Sequence, residues 1–464
     1  MEFDNLKDEL LSVTDTGLKY AKSLDSSSEF EIYVFFRNVM KAEIDQGVVS
    51  AKDGAVAGTA VRAAKGKRLG FAAASGVSED RVKRATREAL AIVQKVNVED
   101  ERFEGFADSK GTRKEGAFTN ELLELGTDDL IKACEKINAD AASVDERLKV
   151  VSSESYAEWG GYAVGNTRGV LHATRGGYSQ CQCSAYAIDV DERRGSFDFD
   201  FSRDRLFDPE GVGKKAGTLA VSLLGAKKLD LTAKIPTIWT PFPAGLYMLS
   251  SLALSAVGKP VVDGVSPLCD KIGEQIAPKH FTVIDDGQGS DKITTQAIDA
   301  EGLPQRETPI IEKGVLKNFL FDSYYGNAFG LESTGNCSKG SALRPSPLPY
   351  ESRPSATTKW LDVTPGTKSD EDIISSIDGK AILVQDYPLG ITHSSVATGE
   401  FSCVATAAYL VENGELKGSV EPVSIAGNFY EGLKNLLEIS NEPVSIPYGI
   451  DVPTLVFDGF SVVG

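Results

Sequence analysis

The sequence predicts an α+β fold, with two helix-plus-antiparallel-meander units on the N-terminal side and a β-rich C-terminal domain after them. Three observations carry this prediction. Apolar residues recur at three- and four-residue spacing in a few separated stretches and alternate with polar residues between them. The order of helix, then alternating runs, occurs twice before residue 231. Beyond that point short alternating runs are divided by Pro/Gly turns, with helical spacing in only two places.

The first unit spans residues 1–98. Leu6, Leu10, Val13, Leu18, Ala21 and Leu24 form one apolar helical face, ended by Asp25-Ser26-Ser27-Ser28. Alternating runs at 30–36, 39–44 and 56–64 read as strands, and the last meets 69–74 across a Lys65-Gly66-Lys67-Arg68 hairpin turn. Ser78 is an N-cap, with Glu79 and Asp80 in the first turn of a helix carrying Val82, Ala85, Ala89 and Val93. Residues 99–120 are rich in charge, Gly and Thr and read as a linker.

The second unit spans 121–230. Thr127 caps a helix bearing Leu130, Ile131, Cys134, Ile137 and Ala141. Strands are expected at 148–155, 159–166, 169–175, 179–189 and 192–201, and Pro209 is expected to start a helix with Val212, Ala216 and Leu219 on its face. The repeated order makes the two units candidate structural repeats. Residues 231–464 then read as a sandwich or distorted barrel, interrupted by helices near 243–257 and 428–440.

Composition narrows the function. A chain of 464 residues is too long for one ordinary core. A formal net charge of −18 repels phosphate, which argues against nucleic-acid binding through a broad basic surface. Six scattered cysteines form no disulfide framework, the first residues show no secretory signal, and no run is apolar enough for a membrane helix. A soluble, cytoplasmic protein is expected.

Local motifs for chemistry are few. The three histidines, His172, His280 and His393, are each more than 100 residues apart, so no pair can share a helix face and bind zinc. Cys181 and Cys183 would lie on one face of a strand, where His172 could approach from a neighbouring strand; they read first as small half-buried side chains. The Gly-rich stretch 211–217 has the wrong spacing for a dinucleotide loop. Asp285-Asp286 and Asp299-Ala300-Glu301-Gly302 do not match a calcium loop and read as turn formers. A site assembled from Cys337, His393 and Asp285 would need the fold to bring them together.

Several segments match one family in order. Gly58-Thr59-Ala60-Val61-Arg62 with Gly66-Lys67-Arg68-Leu69-Gly70, then Leu268-Cys269-Asp270-Lys271-Ile272-Gly273-Glu274, then Asp299-Ala300-Glu301-Gly302 resemble the TldD/PmbA proteins. So do Thr334-Gly335-Asn336, Thr398-Gly399-Glu400, Ile425-Ala426-Gly427-Asn428 and Pro453-Thr454-Leu455. The TldD branch carries His-Glu-x-x-x-His on a helix at the start of its third domain and a cysteine ligand near its C-terminus. Here Leu249, Ser250 and Leu254 stand at the matching positions, and no Cys follows Cys403. The resemblance is to the PmbA (TldE) branch, also called modulator of DNA gyrase; direct DNA contact is disfavoured by the charge. It implies a subunit with no catalytic residues and no zinc of its own, in a peptidase that cuts small or unfolded peptides. Zinc is then expected on a TldD-like partner in a heterodimer. The alternative is a homodimer, a free-standing scaffold that binds an extended peptide or another protein without cutting it.

Overall fold

The computed structural model describes residues 1–340, 343 and 346–464. Six strands form one antiparallel sheet in the order β3-β2-β1-β4-β5-β6. They are β1 (Glu29–Asp45), β2 (Val48–Lys65), β3 (Arg68–Ser75), β4 (Leu148–Asn166), β5 (Leu171–Asp189) and β6 (Glu192–Ser202). The two N-terminal units are joined by β1 and β4, paired from Glu31↔Asn166 to Asp45↔Ser152.

The runs expected as separate strands at 30–36 and 39–44 are one strand, as are 148–155 with 159–166 and 169–175 with 179–189. The polar positions that looked like breaks carry ladder hydrogen bonds as well as any others, because pairing uses the backbone. Glycines in β4 admit close neighbours: a Cβ on Gly160 would lie 2.3 Å from the Phe36 carbonyl oxygen.

Alternation along β1 assigns the two faces of the sheet. Phe30, Ile32 and Val34 pack under α1 (Leu6–Leu24) and α2 (Glu79–Lys95). Further along the same face Met40, Ala42 and Ile44 pack under α4 (Thr127–Ala142) and α5 (Val212–Ser222), with a single turn, α3 (Glu121–Glu124), preceding α4. Strands of 17 to 19 residues reach roughly 60 Å, room for two helix pairs side by side. The opposite face presents Tyr33 and Phe35 to Ile298, Ala300 and Cys337 of the C-terminal region.

Local signals explain the helix ends. Ser78 Oγ accepts from Arg81 N at 3.3 Å, as an N-cap should. The helix expected from Pro209 instead starts at Val212, after Gly211 in the left-handed region at φ 82°. The Gly-rich stretch 211–217 serves helix packing, since a Cβ on Gly213 would lie 2.0 Å from the Ile137 carbonyl oxygen of α4. The linker holds no strand and, before Asn120, no helix, yet Phe103 and Phe106 bury their rings against Ala64 of β2.

In the C-terminal region β7 (Thr232–Lys234) and β8 (Thr237–Trp239) lead into α6 (Pro241–Ser255). β8 lies inside a six-stranded sheet, parallel to Lys380–Val384 and antiparallel to Leu455–Phe457. The region also holds a second six-stranded sheet, a five-stranded one and a two-stranded pair, Cys337–Ser338 with Ser355–Ala356. The helix expected at 428–440 is only Phe429–Lys434; Leu436–Ile439 is a strand on Leu455–Phe457. Pairing with the end of the chain overrides the local helical pattern. Among the described residues no helix is long and apolar enough to cross a membrane.

One ion network joins the sheet to the C-terminal region. Glu31 and Arg62 are directly opposite each other on β1 and β2. Arg62 Nε donates to Glu31 Oε1 at 2.8 Å, and Nη2 donates to Glu31 Oε2 at 2.8 Å and to Glu301 Oε1 at 3.1 Å. Glu301 is held from behind, with Ser323 N donating to its Oε2 at 2.8 Å. Its turn is fixed by Asp299, whose Oδ1 accepts from Glu301 N and Leu303 N at 2.9 Å each. Both glutamates are 2% exposed. Truncating the arginine would strand two buried carboxylates, so Arg62→Met is expected to cost about 3–5 kcal/mol in chemical denaturation. A loss below about 1 kcal/mol would mean that the network holds nothing together.

Further carboxyls crowd this joint. Burial first, and the charge of Glu301 second, push Asp299 and Asp322 up to about 7. Burial pushes Asp285 up to about 6. Carboxyls raised in the folded chain hold protons that the unfolded chain, with its ordinary values near about 4, has released. Their stabilising contribution is therefore complete below about pH 4 and lost as pH rises through about 7. The urea midpoint is expected to be higher at pH 5.5 than at pH 8, and the reverse order would contradict this electrostatic account.

Candidate functional site

The helix on which the family resemblance centres is α6. Thr240 is its N-cap in extended conformation, and Pro241 and Pro243 preset its first turn. The rest is apolar nearly all round, which suits an interior helix rather than an amphipathic one. It packs against the strands Val444–Ile446 and Ile450–Val452 and against the turn Ile391–His393. Tyr247 sits among aromatic rings, 5.0 Å from Phe429 and 4.9 Å from Phe457, and donates to the Phe429 carbonyl at 3.3 Å.

Leu249 and Ser250 are buried in this core at 2% and 1% exposure, whereas Leu254 is 38% exposed. Five residues at about 100° each set Leu254 roughly 140° around the helix from Leu249. The Ser250 and Ser251 hydroxyls are buried with no hydrogen-bond partner among the described residues. Two aliphatic chains and a neutral hydroxyl supply none of the nitrogen, sulfur or carboxylate donors that zinc requires. The residues at these positions do not fit the metal. Among the described residues no group of three or more His, Cys, Asp or Glu is placed to hold a metal ion.

The other sequence candidates fall in separate places. Cys337 is 1% exposed, and burial together with Glu301 and Asp299 holds its thiol well above the usual range, so it is protonated. Asp285 belongs to the same buried network, accepting from Asn336 Nδ2 at 2.5 Å and Lys359 N at 2.6 Å. His393 stands exposed on the turn beside α6 and makes no side-chain hydrogen bond among the described residues, so the fold unites two of that trio without a base for the thiol. Cys181 and Cys183 are buried beneath α4 and α5. His172 lies on the same strand as they do, not on a neighbouring one, and nine positions from Cys181 is roughly 30 Å.

Sequence reasoning missed one cleft. It measures 920 Å³ and lies between β6, α5 and the start of α6. Phe197 and Phe199 of β6 approach Phe242 of α6 with ring centroids 4.5 and 5.8 Å apart. Asp198 and Asp386 line it too, each pushed up to about 6, chiefly by burial. The signal was present as Phe197-Asp198-Phe199-Asp200-Phe201, an alternation of aromatic and acid on an edge strand.

Comparison with known proteins places this architecture among metallopeptidases. Residues 232–464 match the PmbA/TldA metallopeptidase C-terminal domain, and residues 120–224 match the central domain of the same group. The crystal structure of TldE from Thermococcus kodakarensis superposes with a TM-score of 0.87 at 27% identity, covering 97% of this chain and 100% of that one. A putative modulator of a DNA gyrase from Thermotoga maritima, at 22% identity, shares the fold with a TM-score of 0.85 over 97% of this chain and 99% of its own. The metalloprotease PmbA homolog of Haemophilus influenzae is 28% identical over 384 residues, 81% of this chain and 79% of that protein. The chain belongs to the PmbA/TldD metallopeptidase family.

The geometry of α6 separates its two leucines by experiment. Leu249→Ala opens a cavity in the core and is expected to cost about 2–5 kcal/mol, whereas Leu254→Ala at the surface should cost less than about 1 kcal/mol. Equal losses in urea denaturation would show that the two positions share one environment.

Proposed function

We propose that this chain is a PmbA/TldE-type, non-catalytic subunit of a zinc metalloprotease that cleaves small or unfolded peptides, and that a TldD-like partner supplies the zinc. The observation that carries this reading is the donor set on α6. At the positions where the resemblance calls for His, Glu and His, the helix offers Leu249, Ser250 and Leu254, and it contains no His or Glu anywhere. The similarity to TldE of Thermococcus kodakarensis supports the same branch. In this reading the chain contributes structure and a surface for an extended peptide, bound through its backbone without strong side-chain selection overall. The complex acts in peptide turnover in the cytoplasm.

The test is co-expression with a chain that carries its own His-Glu-x-x-x-His. The expected result is a stable heterodimer by light scattering, one zinc per pair by metal analysis, and hydrolysis of unstructured peptides that neither chain performs alone. Stoichiometric zinc on the isolated chain would overturn the proposal. A homodimer that ignores the partner would replace it with a free-standing peptide-binding scaffold.

A further inference from the structure

Two buried ammonium groups lie where the C-terminal region covers the sheet. Lys339 and Lys359 are 7% and 6% exposed. Each spends one of its three N–H bonds on a backbone carbonyl: Lys339 Nζ donates to the Ser352 carbonyl at 3.0 Å, and Lys359 Nζ donates to the Cys337 carbonyl at 2.7 Å. Neither forms a salt bridge among the described residues. The neighbouring acids are already engaged. Asp285 accepts from Asn336 Nδ2, Lys359 N and Trp360 N, and Asp299 accepts from Glu301 N, Leu303 N and Cys337 N. Glu31 and Glu301 hold Arg62. The rings of Tyr33 and Phe71 lie 5.0 and 5.7 Å from Lys339 Nζ and stabilise its charge, but they supply no oxygen acceptor. Buried cations left without acceptors are costly, so a ligand that brings oxygens and negative charge suits them.

The space beside the two lysines can take such a ligand. Both line a 170 Å³ chamber between the sheet and the loops of the C-terminal region, and no Asp or Glu lines it. Tyr33 lines it too; its side chain is 4% exposed, and its hydroxyl makes no hydrogen bond among the described residues. Burial raises that phenol further above its ordinary range, so it remains a donor. Phe35 and Tyr162 give the chamber apolar walls. Lys339 and Lys359, with Thr294 and Gln296, also line an adjoining chamber of 280 Å³, which leaves room for a longer molecule. Two ammonium groups and a phenol match the oxygens of a carboxylate, and the aromatic walls match a carbon chain attached to it.

We propose that this chamber anchors a bound peptide by one of its carboxylates, held between Lys339 and Lys359 with the Tyr33 hydroxyl as a further donor. The adjoining chamber takes the residues next to that carboxylate. A chain of net charge −18 repels acidic peptides on average, so a preference for them has to come from a local site of this kind. The assignment rests on the peptide-processing reading and adds to it a point of attachment.

Calorimetric titration of the full chain at pH 7 decides it, with three acetylated pentapeptides. One is a neutral C-terminal amide, one is the same peptide with a free C-terminal carboxylate, and one is the amide with a central glutamate. At least one acidic peptide is expected to bind roughly tenfold or more tighter than the neutral one, the scale for hydrogen bonds to charged groups, and the tighter one identifies the carboxylate as terminal or side-chain. The preference should collapse toward unity in Lys339→Met and in Lys359→Met, which keep an apolar stem without the charge. It should also fade in the unaltered protein as pH rises through about 8, where Lys339 gives up its proton. Burial first and Arg62 second push this lysine down to about 8, against the opposing pull of Glu31, Cys337 and Glu301. Equal binding of the three peptides overturns the proposal, as does a preference that persists in both variants with unchanged melting profiles. Binding of inorganic phosphate with no preference among the peptides also overturns it, in favour of a free-anion site. If the variants fail to fold, the peptide comparison and the pH series still decide. Because this readout needs no zinc-bearing partner, its failure leaves the pairing untouched, and a failure of pairing leaves the binding result standing.

Discussion

Arg62 ties the two halves of this molecule together at one buried joint. Arg62 answers Glu31 across the sheet and Glu301 across the boundary, so one planar guanidinium fixes both a strand pair and a turn from the C-terminal region. Desolvating three charges is expensive, and such a cluster is retained only where its geometry is closely specified. The joint lies on the face of the sheet that the C-terminal region covers, beside Tyr33 and Phe35, while alternation along β1 gives the other face to the helices.

The family motifs become intelligible in this light. Gly58 to Arg62 and Asp299 to Gly302 lie far apart in sequence and carry no local chemistry, yet they meet at this joint. Reading Asp299 and Glu301 as turn formers captured half of their role. Asp299 does build the turn, but the turn exists to present Glu301. The second half depends on a residue 239 positions away and leaves no trace in local spacing.

What was legible in the sequence follows the same division. The α+β class, the hairpin at Gly66 and Lys67, the cap at Ser78 and the faces of α1, α2 and α4 all rest on short-range periodicity and capping. Strand continuity through Asn38 and Ala157 was not legible, because ladder bonds come from neighbouring strands whose pairing is non-local. Residues 436–439 read as helix for the same reason. On α6 the sequence named Leu249, Ser250 and Leu254 together, but only the structure divides them between core and surface. The acidic, aromatic cleft needed contributions from β6, α5, α6 and the loop at Asp386, no two of which are adjacent in a local motif.

The shared sheet also constrains how the chain can be made. β1 is bonded on one side by β2, its immediate successor, and on the other by β4, which begins more than 100 residues later. As the polypeptide leaves the ribosome, the first unit can therefore collapse around α1 and α2 while one long backbone edge stays open through the synthesis of the linker and α4. Such an edge invites mispairing between neighbouring nascent chains. Its protection in that interval falls to chaperones or to the speed of translation, since nothing in the finished first unit covers it.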